Sequence, residues 1–214
     1  MAPKVLSILT LPSLTNLELT LYSMDGEPPD WRRAMYRDLR NMLERSGRYL
    51  RNLTLRGRLL ETGDEWIRLF SVTPSVENLT INLYPDCGAV LTDEFFHALS
   101  FNSVPRWRAV LSHLETFHLS LDESLTWIGP NDNRYPLPNI QAMFSMINSR
   151  RMVPEYLLDA GLHKLQYFDF HCNVRTPAGR QWIQDFNSDV EPRLRALEMD
   201  GLRLNLRTCA ENVG

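Results

Sequence analysis

The sequence predicts an α/β fold, an irregular solenoid with about six short parallel strands along a concave side and helices along a convex side. Three observations carry this. The apolar pattern L-x-x-L-x-L, with other apolar residues substituting, recurs six times. The segments between its copies place apolar residues at helical spacing, several just after an N-cap residue. The chain has 214 residues, of which 34 are Leu and 43% are hydrophobic, enough for one sizeable core and too ordered in composition for a disordered tail. No run of 18 apolar residues is present to cross a membrane.

The copies of the pattern fall at Leu14, Leu17, Leu19; Leu50, Leu53, Leu55; Val76, Leu79, Ile81; Leu114, Phe117, Leu119; Leu165, Phe168, Phe170; and Leu194, Leu197, Met199. The closing L-x-L alternates with the period of a strand, so its two apolar side chains point into one core. The leading apolar residue turns the chain into that strand. A lone strand of this kind cannot bury its face, and parallel stacking of neighbours completes the core. The repeats therefore predict a single leucine-rich-repeat domain over residues 1–214, with strands near 14–20, 50–56, 76–82, 114–120, 165–171 and 194–200. Uneven spacing of the copies predicts an uneven horseshoe.

Helices are expected between the strands. Residues 31–45 set Trp31, Met35, Leu39, Met42 and Leu43 on one face, with Asp30 as N-cap. Thr62 and Glu65 form a capping box before WIRLF, and Thr92 opens DEFFHALS. Residues 138–151 carry Ile140, Met143, Phe144 and Ile147 at helical spacing, and Thr176-Pro177 starts a helix with Trp182, Ile183 and Phe186 inward. These Met and aromatic residues are core rather than a cofactor box. The last repeat reads in two ways. Residues 194–200 form an ordinary strand, or Asp200-Gly201 is a hairpin turn leading to an antiparallel strand in which Leu202, Leu204 and Leu206 alternate with Arg203, Asn205 and Arg207. The first is taken, with a frayed tail after Thr208.

Composition narrows function. A net charge of −3 lacks the basic footprint of a nucleic-acid binder. Three cysteines, Cys87, Cys172 and Cys209, make a poor disulfide framework and place the chain in a reducing compartment, cytoplasmic or nuclear. The sequons at Asn52 and Asn78 sit inside repeats and are chance matches. Val5, Leu6, Ile8, Leu9 and Leu11 are expected to form or flank an exposed sheet edge prone to association. Arg32-Arg33 and Arg150-Arg151 are placed on solvated helix surfaces. No P-loop, GxGxxG, HExxH or CxxC motif is present, so the chain is not read as an enzyme and no cofactor or metal is expected.

Side chains between the inward residues face the concave side. There the first three repeats offer small polar groups suited to neutral hydrogen bonding. The last three offer His118, Tyr167, Asp169, His171, Glu198 and Asp200, the candidate protein-binding patch. Its carboxylates, Asp169, Glu198 and Asp200, suit a basic peptide. Strands lie ~4.8 Å apart, which makes His118 and Asp169 direct neighbours. A metal on His118, Asp169 and His171, or catalysis by Ser120 beside them, lacks the ligand geometry or nucleophile setting such chemistry needs. Residues 121–137 leave the fourth strand as a long loop, a candidate binding loop carrying Trp127 and Tyr135 together with Ile128.

The segments LTLPSLTNLEL, YLRNLTLRG, SVENLTINLYPDCGAVLTDEFFHAL, FSMINSRR and KLQYFDF resemble the leucine-rich-repeat half of fungal F-box-like proteins, especially those of mushroom-forming fungi. The resemblance implies substrate recognition for a ubiquitin ligase, by recruitment alone, with an unidentified protein partner on the concave face. In that family a separate F-box docks on the Skp-type adaptor. No F-box-like LPxEIxxxIF stretch precedes Leu14, so that adaptor is a partner only through an F-box missing here. Two alternatives stay open, a repeat scaffold with no ligase link and, less favoured, an enzyme of unrecognised kind.

Overall fold

The computed structural model describes residues 6, 8–21, 31–57, 60, 62–83, 91–101, 110–122 and 137–210. Six strands form one sheet in chain order, every pair parallel: β1 (Asn16–Leu21), β2 (Asn52–Gly57), β3 (Asn78–Leu83), β4 (Thr116–Asp122), β5 (Tyr167–Val174) and β6 (Arg203–Ala210). This arrangement is compatible with a solenoid. The second and third apolar positions of successive repeats are in register, Leu53 with Leu79, Phe117 and Phe168 in one row, Leu55 with Ile81, Leu119 and Phe170 in the next. All eight are buried. Alternate residues of β2 to β5 are buried and half-exposed in turn, so one sheet face is sealed and the other is open.

The sealed face packs against the helices in one continuous core. Helix α1 (Trp31–Ser46) buries Met35, Leu39, Met42 and Leu43. Helix α2 (Gly63–Ser71) starts at the Thr62 capping box, in which the Thr62 side chain accepts from Glu65 N–H and the Glu65 carboxylate accepts from Thr62 N–H. Thr92 caps α3 (Asp93–Leu99), Asn139 caps α4 (Ile140–Arg151), and Thr176 caps α6 (Pro177–Asp185). Between the last two lies the short α5 (Glu155–Leu158). Trp66, Phe70, Phe95 and Phe96 join α2 to α3 through ring contacts at 5.1–6.2 Å.

The last repeat differs from both expectations. Helix α6 runs through a π turn, Phe186–Val190, into α7 (Glu191–Ala196). Pro192 is the cause, since it has no N–H to give and its ring crowds the carbonyl four residues earlier. Leu194 and Leu197 are buried helix and turn residues, and Met199 is 91% exposed. Asp200-Gly201 is not a hairpin. Gly201, at φ +87°, closes the helical turn, donating to Glu198 O while Leu202 N–H reaches Leu197 O. The strand follows at Arg203, parallel to β5, and continues to Ala210, beyond the expected fraying point.

The expectation that Arg150-Arg151 faces solvent is corrected. Arg150 is fully buried rather than solvated, and Arg151 is half-buried and donates to Leu165 O. At the N-terminal side, the sheet edge is β1 itself. Leu6 and Leu9 pack against the core, and Ile8 is 81% exposed. The segment is tied to the end of α1, where Arg45 donates to Leu6 O and Leu9 O, and Ser46 Oγ accepts from Leu11 N–H. No helix among the described residues is long and apolar enough to cross a membrane.

Candidate functional site

The open face is a grid. Each strand contributes alternate side chains, and the inward residues between them fix their direction: Phe117 and Leu119 flank His118, and Phe168 and Phe170 flank Asp169. On the β1 to β3 side several polar groups pair with one another. Asn78 donates to Asn52 Oδ1 at 2.7 Å and Asn52 donates to Asn16 Oδ1, making a carboxamide ladder. Both sequon asparagines belong to it. Arg56 and Glu18 pair across 2.9 Å.

The β4 to β6 side pairs too, and carries Arg203 and Arg207 exposed on its last strand. Tyr167, in the first row, meets the His118 ring edge-to-face at 5.2 Å, and the Arg203 guanidinium lies 5.7 Å from its centroid. In the second row His118 Nδ1 lies 3.0 Å from Asp169 Oδ2. A carboxylate can only accept, so this bond holds the imidazole with its proton on Nδ1. In the third row Ser120 Oγ lies 3.4 Å from His171 Nδ1, and Arg207 is the next residue along. The second and third rows of β3 to β6 enclose an open depression of about 300 Å³, with Thr80 and Asn82 on one rim and Arg207 on the other.

The sequence places His118, Tyr167, Asp169 and His171 together on this face, and the structure does the same. It removes Glu198 and Asp200, which lie in the turn before β6. The positions assigned to them, beside Asp169 and His171, belong to Asn205 and Arg207, and Arg203 stands beside Tyr167, where Ala196 was expected. A neutral amide and a cation thus stand where two carboxylates were expected, and the case for a basic peptide goes with those carboxylates. The signal for these residues was the alternation of Leu202, Leu204 and Leu206, which puts 203, 205 and 207 on the opposite face. Trp127, Ile128 and Tyr135 lie outside the described residues.

The polar pairs are two separate contacts. Ser120 meets His171, while the carboxylate of Asp169 holds the other imidazole, His118. The pairs run side by side instead of in series, and a serine relay needs one imidazole between hydroxyl and carboxylate. Among the described residues no three His, Cys, Asp or Glu side chains are arranged to hold a metal ion. No family model, curated protein or solved structure matches the chain.

Proposed function

We propose that this chain is a protein-interaction module whose open sheet face, from β4 to β6, is the contact surface. The observation that carries it is the contrast between the two faces. Helices seal one, while the other leaves Tyr167, Arg203, His118, Asp169, His171 and Arg207 uncovered in adjacent rows. Tyr and Arg are the residue types that anchor interfaces, and here an arginine already lies over the tyrosine ring. The mechanism is recruitment, with no bond made or broken by this chain.

A narrower reading is substrate recognition in an F-box-type ubiquitin ligase, supported by the resemblance of the repeat segments. It requires an F-box joined to these repeats. One capture experiment addresses both levels. With the product of the complete transcript as bait, the Tyr167→Ala/Arg203→Glu variant is expected to lose its partner by at least about tenfold, and Arg37→Glu, on exposed α1, to retain it. A Skp-type adaptor in the same eluate, unaffected by either variant, is the result the narrower reading expects. Equal capture by both variants would contradict the surface assignment, and absence of the adaptor would remove the ligase link.

A further inference from the structure

We propose that the depression between β3 and β6 takes an anionic side chain of the bound partner, a carboxylate or a phosphoryl group. This rests on the reading of the open face as a protein-binding surface. The third row lines up hydrogen-bonding groups from four neighbouring strands, Asn82, Ser120, His171 and Arg207, in register, with one donor of the Ser120–His171 pair used between the two. Strand spacing makes that row ~14 Å wide, a span that one side chain and its flanking backbone fill. Among the described residues no carboxylate pairs with Arg207. Its Nε lies 3.3 Å from Asn205 Oδ1, a contact that leaves the two terminal nitrogens of the guanidinium fork for a ligand. The one carboxylate in the lining, Asp169, is occupied by His118 Nδ1. Its charge still opposes an anion from the neighbouring row, so it sets the sign of a decisive test.

At about 300 Å³ the depression holds roughly ten water volumes. That suits a carboxylate or phosphoryl group with its waters and is small for a nucleotide or other large cofactor. Because the site lies beside Tyr167 and Arg203, an anionic residue seated in it leaves its neighbours on the first row of the same face. The site thereby specifies an acidic or phosphorylated segment as the partner chemistry, opposite in sign to a basic peptide.

The test is a titration of the purified chain with inorganic phosphate, O-phosphoserine and N-acetylglutamate, following the imidazole resonances of His118 and His171. Saturable shifts of both are expected. Arg207→Gln, at an exposed position, is expected to weaken phosphate binding about tenfold, the loss of one charge-assisted bond. Asp169→Asn is expected to strengthen it about threefold, from removal of one charge roughly 5 Å away across water. A response to phosphoserine without N-acetylglutamate assigns a phosphoryl ligand, and a response to both assigns anionic side chains generally. Unmoved imidazoles, equal affinity in Arg207→Gln, or weaker binding in Asp169→Asn would overturn the site. Partner capture intact with unmoved imidazoles overturns this inference alone. Phosphate binding without any face-dependent capture overturns the interaction-surface reading and leaves the anion site standing.

Discussion

Arg150→Ala is expected to cost about 3–5 kcal/mol of stability, seen as a lower urea midpoint with an unchanged slope. The side chain is fully buried on α4, and its guanidinium donates to three backbone carbonyls, Leu99 O, Leu111 O at 2.8 Å and Val110 O at 2.6 Å. Its face lies 4.5 Å from the Phe101 ring centroid. One carbonyl belongs to the end of α3 and two to the turn that enters β4, so a single side chain joins two segments far apart in sequence. The turn needs the help. Leu111 has φ +54°, a left-handed conformation that costs a non-glycine residue roughly 1–2 kcal/mol. Truncation takes a donor from all three carbonyls, of which Leu111 O keeps Leu114 N–H, at about 1–3 kcal/mol for each one left unpaired before water relieves it, and opens a cavity. Burial pushes the Arg150 guanidinium down to about 9, which leaves it a cation at neutral pH, with carbonyl dipoles and the Phe101 face in place of water. Arg150→Lys is expected to recover less than half of the loss, since an ammonium on a single point cannot reach three divergent carbonyls. A change below about 1 kcal/mol in Arg150→Ala would show that the clamp is incidental.

Phe170→Ala is expected to cost about as much, 3–5 kcal/mol, and to disturb the site as well. The ring is fully buried at the centre of an aromatic group, 5.1 Å from Phe186, 5.9 Å from Trp182 and 6.2 Å from Phe168. These contacts join β5 to α6 and the π turn. Phe170 also sits between Asp169 and His171 in the chain, so its packing fixes how both project from the other face. Thermal unfolding reads the first effect, with a midpoint lower by roughly 10 °C. Imidazole resonances of His118 and His171 read the second, and both are expected to broaden or move. A destabilised variant with unmoved imidazoles would show that the open face is held independently of the core beneath it.

The first five strands were legible because L-x-L spacing fixes both period and direction. Once Leu79 is matched to Phe117 and Phe168, His118 and Asp169 must be neighbours, and they are. The sixth strand was not, because Leu194-x-x-Leu197 serves a helix face as readily as a repeat anchor. Proline is disfavoured inside a helix, and the chain accommodates Pro192 with a π turn. The two-residue cue Asp200-Gly201 names a hairpin in one context and a helix end in another, and only packing of Leu194 and Leu197 decides between them. Arg207 and Arg203 were hidden by that shift. Arg150 was readable on different grounds. Met143, Ile147 and Arg150 follow one helical stripe, and the rule that paired arginines face solvent overrode the periodicity.

The central claim is that partners meet the open face of β4 to β6. A photo-crosslinking amino acid placed at Tyr167, compared with one at Arg37 on α1, tests it most directly. The account predicts a discrete crosslinked protein from position 167, lost when Arg203 is reversed to Glu, and none from position 37. Crosslinks of equal yield from both positions, or from position 37 alone, would contradict it.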